Sequence, residues 1–93
     1  MRLSQNQITA QLTRLPHWTR RGGRISRTFV FDDFIQGIRF VNRVAGLAEA
    51  MNHHPDISIR YNRVGLSLTT HDEGGLTDKD FRLAGKINRL IRT

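Results

Sequence analysis

The chain has 93 residues, no cysteine and a net charge of +7, with 38% hydrophobic and 25% charged residues. That length predicts one domain over 1–93. The absence of cysteine excludes disulfides, thiolate metal sites and a cysteine nucleophile. No apolar run approaches the roughly 20 residues that span a bilayer, and no signal-like segment opens the chain, so a cytoplasmic protein with no membrane partner is expected.

The charge is unevenly spread. Residues 1–31 carry six arginines (Arg2, Arg14, Arg20, Arg21, Arg24, Arg27) and no acid, giving +6, and the remainder adds only +1. A one-sided basic patch can attract nucleic acid or anionic ligands, although a plain solvated surface is the favoured explanation.

In chain order, Ser4 and Gln7 have the spacing of a capping box, with Leu3 and Ile8 as a hydrophobic staple. Ile8, Leu12 and Leu15 then share one helical face, and Pro16 is expected to end the helix. Gly22-Gly23 suit a tight hairpin turn. Beyond it Ile25, Phe29 and Phe31 alternate on one strand face, with Arg27 out of pattern.

Asp32 or Asp33 is expected to cap a long helix. Its predicted buried stripe is Phe34, Ile38, Val41, Ala45, Ala48 and Met51, with Pro55 as the stop. A second hairpin follows: Ile57, Ile59 and Tyr61 on one strand, a turn at Asn62-Arg63, then Val64, Leu66 and Leu68. His71 has the parity of Ser67 and Thr69, so continuation of the strand sends its imidazole to the polar face. Thr77 and Asp80 form a second capping box, ahead of a helix burying Phe81, Ala84 and Ile87, then Leu90 or Ile91. The predicted fold is α+β: an α-β-β-α-β-β-α two-layer sandwich, with a four-stranded antiparallel sheet and three helices on one face.

The chemistry-bearing residues gather around "NHHPD" (52–56). Imidazole is the side chain suited to proton transfer near neutrality. His53 and His54 at the end of the long helix, and His71 at the end of the fourth strand, are placed to meet at one edge of the sheet. A histidine at a helix C-terminus also has a purely structural explanation in the dipole. Glu49, four residues before His53, is either a solvated acid or an orienting partner for that imidazole. Asp80 is explained by its cap and is also free to serve a site. Asp72, Glu73 or Asp80 with the histidines offers metal-ligand types. Adjacent histidines diverge, however, and no familiar zinc spacing is present. "RRGGR" reads better as a hairpin turn than as a single RNA-binding element.

The stretch "EAMNHHPDISIRYNRVGLSLTTHDEGGLTDKD" resembles the signature of the pterin-4a-carbinolamine dehydratases. The matching positions are Glu49, His53, His54, Pro55, Tyr61, His71 and Asp80. The order of elements is similar to that family's α+β fold along nearly the whole chain. The resemblance implies dehydration of 4a-hydroxytetrahydrobiopterin, or a related 4a-hydroxytetrahydropterin, to the quinonoid dihydropterin during tetrahydropterin recycling. It implies acid/base work by His53 and His71, substrate contact by His54, and orienting or binding roles for Glu49, Pro55, Tyr61 and Asp80. It requires no metal and no organic cofactor. It also implies a homo-oligomer, dimer or tetramer, and in some members a protein partner. The alternative is a small basic binding module, either for nucleic acid (the less expected partner) or as a dimerisation cofactor of a transcription factor.

Overall fold

The computed structural model describes residues 1–91, so the domain expected over 1–93 runs two residues past them. Its elements are α1 (Gln5–Leu12), β1 (Thr19–Arg21), β2 (Arg24–Val30), α2 (Phe34–Met51), β3 (Asp56–Arg60), β4 (Arg63–Leu68), a one-turn 3₁₀ helix (His71–Glu73) and α3 (Asp78–Leu90). The four strands form one antiparallel sheet in the order β1-β2-β4-β3. The two hairpins are thereby joined through β2 and β4, which pair from Ile25↔Leu68 to Val30↔Arg63. The core is made by inward residues of those central strands (Ile25, Phe29, Val64, Leu66, Leu68) and by helix residues such as Ile8, Phe40, Val44, Leu83 and Ile87.

Local signals set the helix starts. Ser4 and Gln7 close the expected capping box on α1. Asp33, rather than Asp32, caps α2 by accepting from the Gln36 N–H at 2.8 Å. Thr77 and Asp80 close the box on α3.

The helix ends differ from expectation. α1 stops at Leu12, and a short turn separates it from Pro16. α2 is ended by Asn52, not Pro55. Asn52 takes left-handed φ and ψ of 50° and 44°, and the His53 N–H returns to the Ala48 carbonyl at 3.0 Å. This is a Schellman-type closure, and asparagine tolerates the left-handed region better than most side chains.

The buried face of α2 is also rotated from the predicted stripe. Gly37, Phe40, Val44 and Ala48 are buried, with Val41, Leu47 and Met51 packed at the margin. Phe34 and Ala45 are exposed, and Ile38 is only half-buried. Two apolar sets share the helical period here, so periodicity alone cannot choose between them. Contact chooses. A Cβ on Gly37 would stand 3.4 Å from Val64 Cγ2, so glycine lets the helix lie close to β4. Phe40 sits between Phe29 and Phe31, with ring centroids 4.7 and 5.0 Å away.

In the second hairpin the turn falls on Tyr61-Asn62, one residue earlier than expected, because Arg60 pairs with Arg63. Tyr61 takes a left-handed φ of 53°. Asn62 secures the turn from both sides: its Nδ2 donates to the Phe31 carbonyl at 2.8 Å, and its own carbonyl accepts from the Phe31 N–H at 2.9 Å. β3 was expected to bury one face, yet all five of its residues are exposed. It is the edge strand, and Ile57 and Ile59 lie outside the cover of the helices.

Candidate functional site

The three histidines do meet. His53, His54 and His71 line one open cleft of about 270 Å³ at the sheet edge, together with Asn52, Thr69 and Lys79. The left-handed turn at Asn52 sends His53 and His54 in different directions. His53 is buried and His54 exposed, with side-chain exposures of 10% and 55%.

Each imidazole of the pair has its own carboxylate, and not the one that sequence spacing suggested for His53. His53 Nε2 lies 2.6 Å from Asp80 Oδ1. Glu49 instead meets His54, with Nε2 and Oε2 2.5 Å apart. The one-turn relation between Glu49 and His53 fails because the helix ends at Met51, before His53 is reached.

Asp80 is fully buried, and three donors satisfy it. Its Oδ2 accepts the Thr70 hydroxyl at 2.8 Å and the Thr77 N–H at 2.9 Å, while Oδ1 faces His53. Thr70 has one hydroxyl proton, committed to Asp80, so Thr77 donates across the 2.8 Å Thr70–Thr77 contact. The network thus has one direction, running inward to the carboxylate. With Asp80 ionised, His53 presents Nε2–H to it, and Nδ1 is the ring nitrogen left for other partners. A buried carboxylate of this kind fixes both the ring orientation and the tautomer.

His71 arrives by another route than strand parity. β4 ends at Leu68, Thr70 bridges to Gly75, and His71 opens the 3₁₀ turn. Its exposed imidazole is therefore placed by that turn. Thr70, buried at the cleft and bonded to Asp80 and Thr77, is the member of this network that the sequence does not single out. Nothing in its local sequence marks it, because its role depends on α3 packing against the end of β4.

Tyr61 is not brought to this group. It sits on the β3–β4 turn, 67% exposed, at the other end of a six-residue strand from His71, roughly 20 Å along the sheet. Pro55 is half-buried after the pair and stiffens the entry to β3, but does not line the cleft.

The open antiparallel sheet carrying three helices has a counterpart among solved pterin dehydratase structures. A Brucella melitensis structure described as a transcriptional coactivator/pterin dehydratase superposes with a TM-score of 0.95 at 34% identity, covering 99% of this chain and 100% of that one. The family model for pterin 4 alpha carbinolamine dehydratase matches residues 1–90. A relative from Picosynechococcus sp., provisionally named a pterin-4-alpha-carbinolamine dehydratase, is 52% identical over 89 residues, 96% of this chain and 97% of its own. One from Chloroflexus aurantiacus, named likewise, is 54% identical over 90 residues, 97% of each chain. The chain belongs to the pterin 4 alpha carbinolamine dehydratase family, a family of hydro-lyases. No helix among the described residues is long and apolar enough to cross a membrane.

Proposed function

We propose that the histidine cleft dehydrates a 4a-hydroxytetrahydropterin, 4a-hydroxytetrahydrobiopterin or a close analogue, by acid/base catalysis. The observation that carries this reading is the convergence of His53, His54 and His71 on one cleft, two of them backed by carboxylates. In the reaction the C4a–O bond breaks, the departing oxygen takes a proton and leaves as water, and the N5 proton is lost as the C4a–N5 double bond forms. One group must donate and another accept. His53 and His71 take these two tasks, Asp80 holds the His53 ring, and His54 with Glu49 contacts the substrate from the solvent side. A positioned acid or base contributes about 10²–10⁴-fold. No metal or organic cofactor enters the scheme, and Tyr61 has no role in a single copy.

The same reading includes a cytoplasmic setting and a homo-oligomer, dimer or tetramer. Edge strand β3 with Ile57 and Ile59, and the outward residues Val30, Phe34 and Ile35, leave apolar surface that a second copy can cover. The test of the activity is turnover of a 4a-hydroxytetrahydropterin generated in situ. Acceleration above the spontaneous rate is expected, and its absence rejects the proposal.

A further inference from the structure

Arg27 breaks the apolar alternation of β2. It stands on the same face as Ile25 and Phe29, both buried, and is itself half-buried. Its guanidinium lies 4.2 Å from the Phe29 ring centroid, and Nη1 donates to Asn88 Oδ1 at 2.6 Å. The rest of its donor fork has no protein acceptor among the described residues, and no carboxylate pairs with it there. Burial pulls its pKa below the usual arginine value, the direction expected of a desolvated cation that lacks a counter-charge.

This guanidinium faces a second cleft, about 470 Å³, between the α1–β1 connection and the C-terminal half of α3. Arg14, Arg89 and His17 also line it, and no acidic residue among the described residues does. Leu15 and Ile91 supply apolar wall. Asn88 shapes the cleft: its Oδ1 accepts from Trp18 Nε1 at 2.8 Å as well as from Arg27, and its Nδ2 donates to the Pro16 carbonyl at 3.2 Å. That clamp holds the turn in which His17 takes a left-handed φ of 72°. The histidine cleft shares none of these residues. It lies at the other end of α3, about 12 Å along the axis from Asp80 to Asn88.

Three arginines lining a concavity of this size, with no carboxylate among its described residues, supply the charge-assisted donors that suit phosphate and the volume that suits a small molecule. We propose that this cleft binds a small phosphate monoester, its dianion held by Arg14, Arg27 and Arg89 and its organic part laid against Leu15 and Ile91. A concave site with apolar wall favours such a ligand over an extended nucleic-acid backbone. The proposal is independent of the dehydratase reading.

Trp18 is the only tryptophan of the chain, and it shares its acceptor with Arg27, so its fluorescence reports the site. The full-length protein is titrated with inorganic phosphate and with glycerol 3-phosphate at constant ionic strength, chloride making up the balance. A saturable change is expected, tighter for glycerol 3-phosphate. The exposed pair Arg14→Gln with Arg89→Gln should weaken it by about tenfold or more, as loss of charge-assisted hydrogen bonds implies. Arg27→Gln should abolish it, and the double variant keeps the test valid if Arg27→Gln fails to fold. The proposal is overturned if neither probe gives a saturable response, or if chloride alone reproduces it. An undiminished response in the double variant overturns it too, as does binding of a short single-stranded oligonucleotide when both small phosphates fail.

Discussion

Asp80 accepts from His53 Nε2 at 2.6 Å and at the same time closes the N-terminus of α3 through the Thr77 N–H at 2.9 Å. One buried carboxylate therefore ties the position of an imidazole to the start of a helix. Removing it should show in stability and in turnover together. Asp80→Ala leaves the Thr70 hydroxyl, the Thr77 N–H and the His53 ring without their acceptor. A loss of about 3 kcal/mol in urea unfolding is expected. Thr77→Ala removes the hydroxyl cap and its donation to Thr70, but leaves the Thr77 N–H and the Thr70 hydroxyl on Asp80, and should cost about 2 kcal/mol while sparing most of the rate. Equal effects of the two variants on turnover would deny Asp80 an orienting role.

His53→Ala should lower turnover of a 4a-hydroxytetrahydropterin by about 10²–10⁴-fold, with an unchanged circular dichroism spectrum. Near-normal turnover in that folded variant would remove His53 from the acid/base step.

Glu49 and His54 form an exposed pair, with side-chain exposures of 77% and 55%. Glu49→Gln should therefore change unfolding free energy by less than about 1 kcal/mol. Its effect should fall on KM more than on kcat, since the pair borders the cleft rather than lying beneath it. A dominant loss in kcat would instead place the pair at the reacting atoms.

The rotation of α2 can be tested by two truncations. Val44 is fully buried, and Val44→Ala should cost about 2 kcal/mol. Phe34, 44% exposed, lies on the outward face, so Phe34→Ala should leave monomer stability nearly unchanged. If α2 packs against a second copy through that face, the Phe34 variant should dissociate at higher protein concentration than the parent, measured by sedimentation. A large loss from Phe34→Ala in a monomeric sample would restore the stripe that periodicity predicts.

Tyr61 supplies a negative control. Tyr61→Gly frees a left-handed position, where an L side chain costs roughly 1–2 kcal/mol, against the extra unfolded-chain entropy of glycine. Turnover in a monomeric sample should stay within about twofold. A large loss of rate there would mean that the tyrosine reaches the cleft.

What the sequence determined by itself was whatever neighbours in the chain decide. The capping boxes at Ser4 and Thr77, the hairpin at Gly22-Gly23 and the period-two faces of β2 and β4 rest on contacts within a few residues. The family signature was legible for the same reason: its spacing marks His53, His54, His71 and Asp80 without reference to their pairing. Tertiary structure alone decided which apolar set of α2 turns inward, because that depends on Gly37 meeting Val64 and Phe40 meeting two rings of the sheet. It also decided the partners of the imidazoles. Spacing on a continuous helix aligns Glu49 with His53, but the left-handed Asn52 ends that helix first. Glu49 is thereby handed to His54, and His53 is turned down to a carboxylate 27 residues further along the chain.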